Sequence, residues 1–485
     1  MDRGPALVGG LGLVVLAFAL YLWSAGDRMN FYNHFVWQAD AFLSGRVWIP
    51  FPVEGSGGLP DNAYFNDVFP LLDVAGQPTG RVLIPFPPLP AIVLLPFVAA
   101  WGLATDQELL GIILGTLGVA ATWWMLGRLR IGLGARVVTT AFFATGTAWW
   151  WSAAVASTWY FAHLVAVVPA LLAVGVALGA DARAAGGDPE PAPEPYGTDE
   201  DRDARPVGVV ERLRSFVADA LPLDQSQIVV GLLLGVAATA RLPLVFAAPF
   251  FMLVGGGGTW QRRTLSAAVG GFIPVAMLLA YTYIATGALL HPGYDYQYQL
   301  EAWGYPTLGY NPEWAVEDVR YIPQNLGIML GSLPAFMPDF LPNTLKFSPD
   351  VAVCTDPAVR GLLDVTCPIA VPRDIGTSIL LTSPAYLLAA FPLFRRPWTR
   401  LALGSVLATL AIALFNLAHF SQGWVQWGYR FSNDFVPFLL PLVAVGVAAG
   451  AHGARGRPRL LAIVLVAAGA AINLWGVIWG DILGW

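Results

Sequence analysis

Between Asp27 and Pro50 the chain reads DRMNFYNHFVWQADAFLSGRVWIP. Phe35, Ala39, Phe42 and Leu43 recur there at helical spacing, and Asp27, Asn30, Asn33, His34, Gln38 and Asp40 interleave with them. An amphipathic helix on a surface would bury the apolar stripe and present carboxylate, amide and imidazole beside it. Those groups can move protons and hold hydroxyls, although the same pattern also fits an ordinary solvated face. Asp67 and Asp73 follow, then Arg81 ahead of the paired prolines in GRVLIPFPPLP. Two further cations stand out. Arg241 is apolar on both sides (ATARLPLVF), where a charge is costly unless paired or wet, so a functional role competes with snorkelling to the interface or local pairing. Arg430, next to Tyr429, precedes Asp434 by one helical turn, and a local ion pair competes with function. His34 could orient a ligand or serve structure alone. His163 and His419 have no carboxylate close in sequence in their apolar surroundings and read as structural.

The elements that must position these side chains belong to a membrane. The hydrophobic fraction is 56%, the charged fraction 12% and the mean hydropathy +0.61. A soluble domain carries about 25% charged residues, so most of this surface faces something other than water. The 19 Trp and 15 Tyr suit headgroup depth. A net charge of -6 gives no hint of a nucleic-acid partner, and five His and two Cys leave no room for a zinc finger, a CxxC pair or an HExxH site. There is no P-loop.

A spanning helix needs about 20 apolar residues. Candidates are Ala6 to Ser24, a retained anchor, and residues 107–126, 136–154, 159–180, 227–240, 242–256, 264–286, 377–394, 400–420, 432–450 and 460–480. The expected fold is an all-α polytopic membrane protein of about 11 transmembrane helices. The pair around Arg241 is short enough to be one broken segment. Ile84 to Gly102 is apolar but holds five prolines, and it reads as an interfacial or re-entrant element rather than a span. With a cytoplasmic N-terminus, 17 of the 26 basic residues fall in inner loops although the outer segments are longer, which is the positive-inside bias.

The chain then divides into an amino-terminal membrane module over 1–286, a second outer loop over 287–376, and carboxy-terminal transmembrane helices over 377–485. The module carries the first outer loop, 26–106, and an inner loop, 181–226, whose first half is acidic and Pro-rich and whose residues 208–221 have the spacing of a helix lying on the membrane. Cys354 and Cys367 share the second outer loop, and a disulfide between them suits an oxidising compartment. In the same loop GYDYQYQLEAWGYP, residues 293–306, offers aromatics for sugar stacking or for interface packing.

The order of a first span, an acid-bearing helix ending in Gly and a paired-proline turn resembles the GT-C class of membrane glycosyltransferases. Phe35 to Pro50 is similar to the corresponding helix of aminoarabinose transferases and protein O-mannosyltransferases, and GRVLIPFPPLP to their segment leading to the second span. GLLLGVAATARLP and WGYRFSNDFVPFLLP add weaker likenesses. The resemblance implies an inverting enzyme on the extracytoplasmic face of the cell membrane. It would take a polyprenyl-phosphate sugar donor and a glycan, lipid or protein acceptor within membrane lipid, with a divalent metal as an optional cofactor. A carboxylate would be the general base, and arginines would hold the lipid phosphate as its charge grows. The family's catalytic aspartate falls on Asn30, which cannot act as a base, or on Asp27 one helical turn away. The base is therefore open among Asp67, Asp40 and Asp27. Arg241, Arg430 and Arg81, with Asn30, His34 and Tyr429, are the expected substrate-binding residues. Two alternatives remain. A transporter or flippase of lipid-linked glycans would be expected to show internal repeats and mid-span charges, and no repeat is visible. A divergent, non-catalytic relative is the other, suggested by Asn30.

Overall fold

The computed structural model describes residues 3–25, 32–55, 61–65, 67–186, 219, 221–256, 258–290, 311, 313–341, 351–354, 359–394, 397–423, 425–449 and 460–485. Among the described residues, seven helices are long and apolar enough to cross a membrane. They are α1 (Arg3–Ala25), α4 (Gln107–Leu126) and α7 (Thr158–Gly186), then the helices Trp260–Thr286, Arg400–Ala418, Ser432–Ala449 and Leu460–Ile482. At a rise of about 1.5 Å per residue each reaches roughly 27 Å or more, so the chain is an all-α polytopic membrane protein.

Three expected spans are not continuous helices. Residues 136–154 form α5 (Leu133–Thr145) and α6 (Ala148–Val155), broken at Gly146 and restarted by Thr147, whose hydroxyl accepts the Trp149 N–H at 3.2 Å. Residues 377–394 form a short helix, Ile379–Thr382, and a 3-10 stretch, Pro384–Phe394. Residues 227–256 give one helix, Gln225–Ala238, and then the 3-10 turn Leu242–Ala247 running into Ala248–Leu253. Pro243 and Pro249 sit in these short pieces, where a pyrrolidine ring is tolerated only near a helix start. Arg241 occupies the break with an extended backbone, φ -142.

The proline-rich segment contains α3 (Leu89–Trp101), whose 13 residues reach only about 20 Å, and it packs on α2 (His34–Leu43). The first loop also builds an antiparallel sheet that the sequence pattern did not announce. Its strands β1 (Ile49–Pro50), β2 (Phe69–Leu72) and β3 (Pro78–Leu83) lie in the order β1-β3-β2. The surface-lying reading of α2 is corrected by its burial. His34, Phe35, Val36, Trp37, Gln38, Ala39 and Ala41 are all inside. Phe35 and Ala39 join the main core, while Trp37 and Ala41 join a second cluster with Ile49, Phe65, Val82 and Ile84 beneath the sheet. The helix has two buried faces, so its polar side chains bond to protein: Gln38 Nε2 donates to the Tyr281 hydroxyl at 2.9 Å.

Close helix approach fixes the start of α7. Gly111, Gly115 and Gly118 form one stripe of α4, where an added Cβ would strike Ala156, Ala153 and Trp149. Trp149 Nε1 donates to the Gly115 carbonyl at 2.9 Å across this contact. Ala156, with φ 41, then turns the chain into α7.

In the second loop Cys354 and Cys367 are disulfide-bonded, as expected. Arg360, inside the bridged segment, donates to the carbonyls of Pro338 and Pro368 at 2.9 and 3.1 Å. Replacing both cysteines by serine is expected to lower the stability of this loop by about 3 kcal/mol, the loop-closure value for so short a segment. Faster trypsin cleavage after Arg360, with unchanged helix content by circular dichroism, would report it. The expectations for residues 208–218, for 293–306, and for Asp27 and Asn30 lie outside the described residues.

Candidate functional site

The first turns of α7 carry Thr158, Trp159, Tyr160 and His163, and each is tied to a different part of the chain. Thr158 anchors the entry to α2: its backbone N–H and its hydroxyl both donate to the Tyr32 carbonyl, at 2.8 and 2.6 Å. The Thr158 Oγ1 also accepts the His34 backbone N–H at 3.1 Å and lies 2.9 Å from His34 Nδ1. His34 is fully buried and stacked on Phe65 at 3.8 Å. These contacts tie α2 to α7.

Trp159 Nε1 donates to Asp67 Oδ2 at 2.9 Å. Asp67 has a left-handed backbone, φ 57, a conformation that Asp tolerates better than most residues. Tyr32 packs against the Trp159 ring at 5.0 Å and meets Tyr64 edge-on at 6.1 Å, so the half-buried Asp67 sits beside an aromatic cluster.

One turn deeper, on the same face of α7, His163 Nδ1 lies 2.9 Å from Asp434 Oδ1. Asp434 is fully buried in the first turn of the Ser432–Ala449 helix. Arg241 grips it with two bonds, Nε to Oδ1 at 3.1 Å and Nη2 to Oδ2 at 2.6 Å, and Asn416 Nδ2 donates to Oδ2 at 3.0 Å. Four donors from three segments therefore satisfy one carboxylate, a strong charge-assisted arrangement. The helix break at Arg241 makes this geometry reachable, because its extended residue turns the side chain into the bundle.

Arg430 stands on the other side of this group. The Phe431 ring lies 5.3 Å from the Arg241 guanidinium and 5.1 Å from that of Arg430, and Tyr160 lies 5.8 Å from the latter. Arg430 makes no ion pair among the described residues, and its Nε is buried without a hydrogen bond. The alternative of a local pair between Arg430 and Asp434 is not what the structure has: the carboxylate is taken by Arg241, His163 and Asn416. The Arg430 guanidinium lies on Gly423, where a Cβ would stand 2.7 Å from Cζ and where φ is +96. Tyr429 is buried behind it and donates its hydroxyl to Gln422 Oε1 at 2.7 Å. Among the described residues the group holds two guanidinium groups and one carboxylate, a surplus of positive charge.

Asp40 and Arg81 make their described contacts elsewhere. Asp40, half-buried near the end of α2, faces Arg46 at 3.7 Å. Arg81 is exposed on β3, over the Trp48 ring at 4.2 Å. His163 and His419 have no carboxylate close in sequence, yet both meet one from far along the chain: His163 meets Asp434, and His419 Nδ1 lies 3.2 Å from Glu317. The sequence reading missed Asp434 as the clamp, along with His163 and Asn416, whose partners are far away in the chain. The signal was the rule that singled out Arg241, an ionisable residue within an apolar run, which applies equally to His163 and Asp434. Among the described residues no three His, Cys, Asp or Glu side chains are grouped to hold a metal ion.

No protein-family profile matches the chain, and no curated protein does. Among solved structures it is similar to the crystal structure of the Archaeoglobus fulgidus oligosaccharyltransferase tethered with an acceptor peptide containing the NVT sequon via a disulfide bond. The identity is 13% and the TM-score 0.41, over 98% of this chain and 54% of that one, so the chain spans about half the length of that protein.

Proposed function

We propose that the chain is a GT-C-class glycosyltransferase that moves a sugar from a polyprenyl-phosphate donor to a hydroxyl acceptor at the extracytoplasmic membrane face, with inversion. The acceptor oxygen bonds to the anomeric carbon as the bond from that carbon to the phosphate oxygen breaks. The electron pair leaves with the polyprenyl phosphate, and Asp67 takes the acceptor's proton. Arg430 and Arg241 receive the phosphate, whose negative charge grows as it departs. With a cytoplasmic N-terminus, the start of α7 lies at the outer boundary, where a lipid phosphate resides.

One observation carries this reading. Within about one turn, α7 contacts both a loop carboxylate, through Trp159, and a cluster with surplus positive charge, through Tyr160 and His163. Base and phosphate site are the two parts that transfer from a lipid phosphate needs, and the resemblance of the first loop to the GT-C class points the same way. The test is binding of undecaprenyl phosphate to the protein in nanodiscs. Arg430→Gln is expected to weaken it about tenfold or more, the value of one charge-assisted contact. The melting temperature should hold, because Arg430 makes no ion pair among the described residues. Unchanged affinity would remove the phosphate assignment.

A further inference from the structure

Resting on that reading, we infer that Trp159 is a positioning residue for the reacting carboxylate: its indole N–H holds one oxygen of Asp67 and sets the height of that carboxylate above the arginine pair.

Three observations support the inference. First, the Trp159 Nε1 to Asp67 Oδ2 bond is short, 2.9 Å, and it bridges two segments 92 residues apart. Asp67 stands outside any helix or strand, with a left-handed backbone. Second, Trp159 is itself held. Tyr32 packs on its ring at 5.0 Å, and the Tyr32 carbonyl is tied to Thr158, the residue before Trp159, by both the amide and the hydroxyl. Third, Trp159 and His163 are four residues apart on one helical face, so their separation along α7 is about 6 Å. His163 bonds to Asp434, which grips Arg241. The helix therefore acts as a ruler between the loop carboxylate and the phosphate clamp. That spacing suits a sugar whose anomeric carbon lies between its phosphate and the incoming hydroxyl.

A hydrogen bond to the ionised carboxylate favours that form, so its removal makes the base easier to protonate. The measurement is the pH dependence of sugar transfer in nanodiscs, with undecaprenyl-phosphate glucose, galactose and mannose offered in turn as donors and octyl glucoside as acceptor. Trp159→Phe is expected to move the acid limb of the rate profile to higher pH by about one unit, the equivalent of one charge-assisted hydrogen bond. Benzothienylalanine at position 159 keeps the bicyclic ring and replaces the N–H by sulfur. It should give the same shift with packing preserved, which covers the case where Trp159→Phe folds poorly. A slower rate with an unmoved acid limb in both variants would make Trp159 structural and overturn the inference. Asp67→Asn separates the two levels: full activity there defeats the base assignment itself, whereas loss there with an unmoved limb at Trp159 defeats only the positioning role.

Discussion

Asp434→Ala is expected to destabilise the protein by about 3–5 kcal/mol, the cost of breaking a buried ion pair by removing one partner. The lost carboxylate is fully buried and accepts from Arg241, His163 and Asn416. Its removal leaves a guanidinium only 20% exposed without its counter-ion. Arg241→Ala should cost a similar amount by stranding the carboxylate. Replacing both, as Asp434→Leu with Arg241→Leu, should recover much of the loss, because a buried pair exchanged for apolar side chains is often near neutral. Thermal melts in detergent and a double-mutant cycle give the coupling directly. Additive losses would mean that the two side chains do not act as one unit. The cycle also separates stability from binding: the double leucine variant should fold and still lose affinity for undecaprenyl phosphate, since one of the two cations is gone.

The same residues show where the sequence was legible. Long apolar runs such as Gln107–Leu126 and Leu460–Ile482 identify spans because about 20 residues must cross the hydrocarbon without a break. Where Gly146 or Pro243 interrupts a run, hydropathy still registers a span while the backbone has already turned. Arg241 could be singled out because a charge among apolar neighbours demands a partner, but the partner could not be named. Asp434 lies 193 residues away, and its nearer arginine, Arg430, competes in any local pairing rule. Helix α2 misled for a related reason. A periodic stripe shows one buried face, and the second face of Trp37 and Ala41 is created only by the sheet beneath it. That sheet's strands are two to six residues long and punctuated by Pro50, Pro70 and Pro78, too short and broken to show alternation.

Asp67→Asn is expected to reduce sugar transfer by a factor of about 10² to 10⁴, the usual contribution of a positioned general base. The substitution is mild in every other respect. Asparagine also tolerates the left-handed backbone at this position, φ 57, so the turn is not strained. Its amide oxygen can still accept the Trp159 N–H that Asp67 Oδ2 accepts at 2.9 Å, so the tie to α7 survives. What disappears is the capacity to take a proton. Donor binding should therefore stay within about twofold of the parent while turnover falls, the signature of an interaction made only as the reaction proceeds. Asp40→Asn is the contrast, because its carboxylate stands half-buried near the end of α2, facing Arg46 rather than the arginine pair. It should change the rate by less than about twofold, as a weak ion pair near the surface contributes little. Turnover of undecaprenyl-phosphate hexoses in nanodiscs measures both. Full activity in Asp67→Asn, with loss in Asp40→Asn or Asp27→Asn instead, would move the base to that residue and detach the chemistry from Trp159.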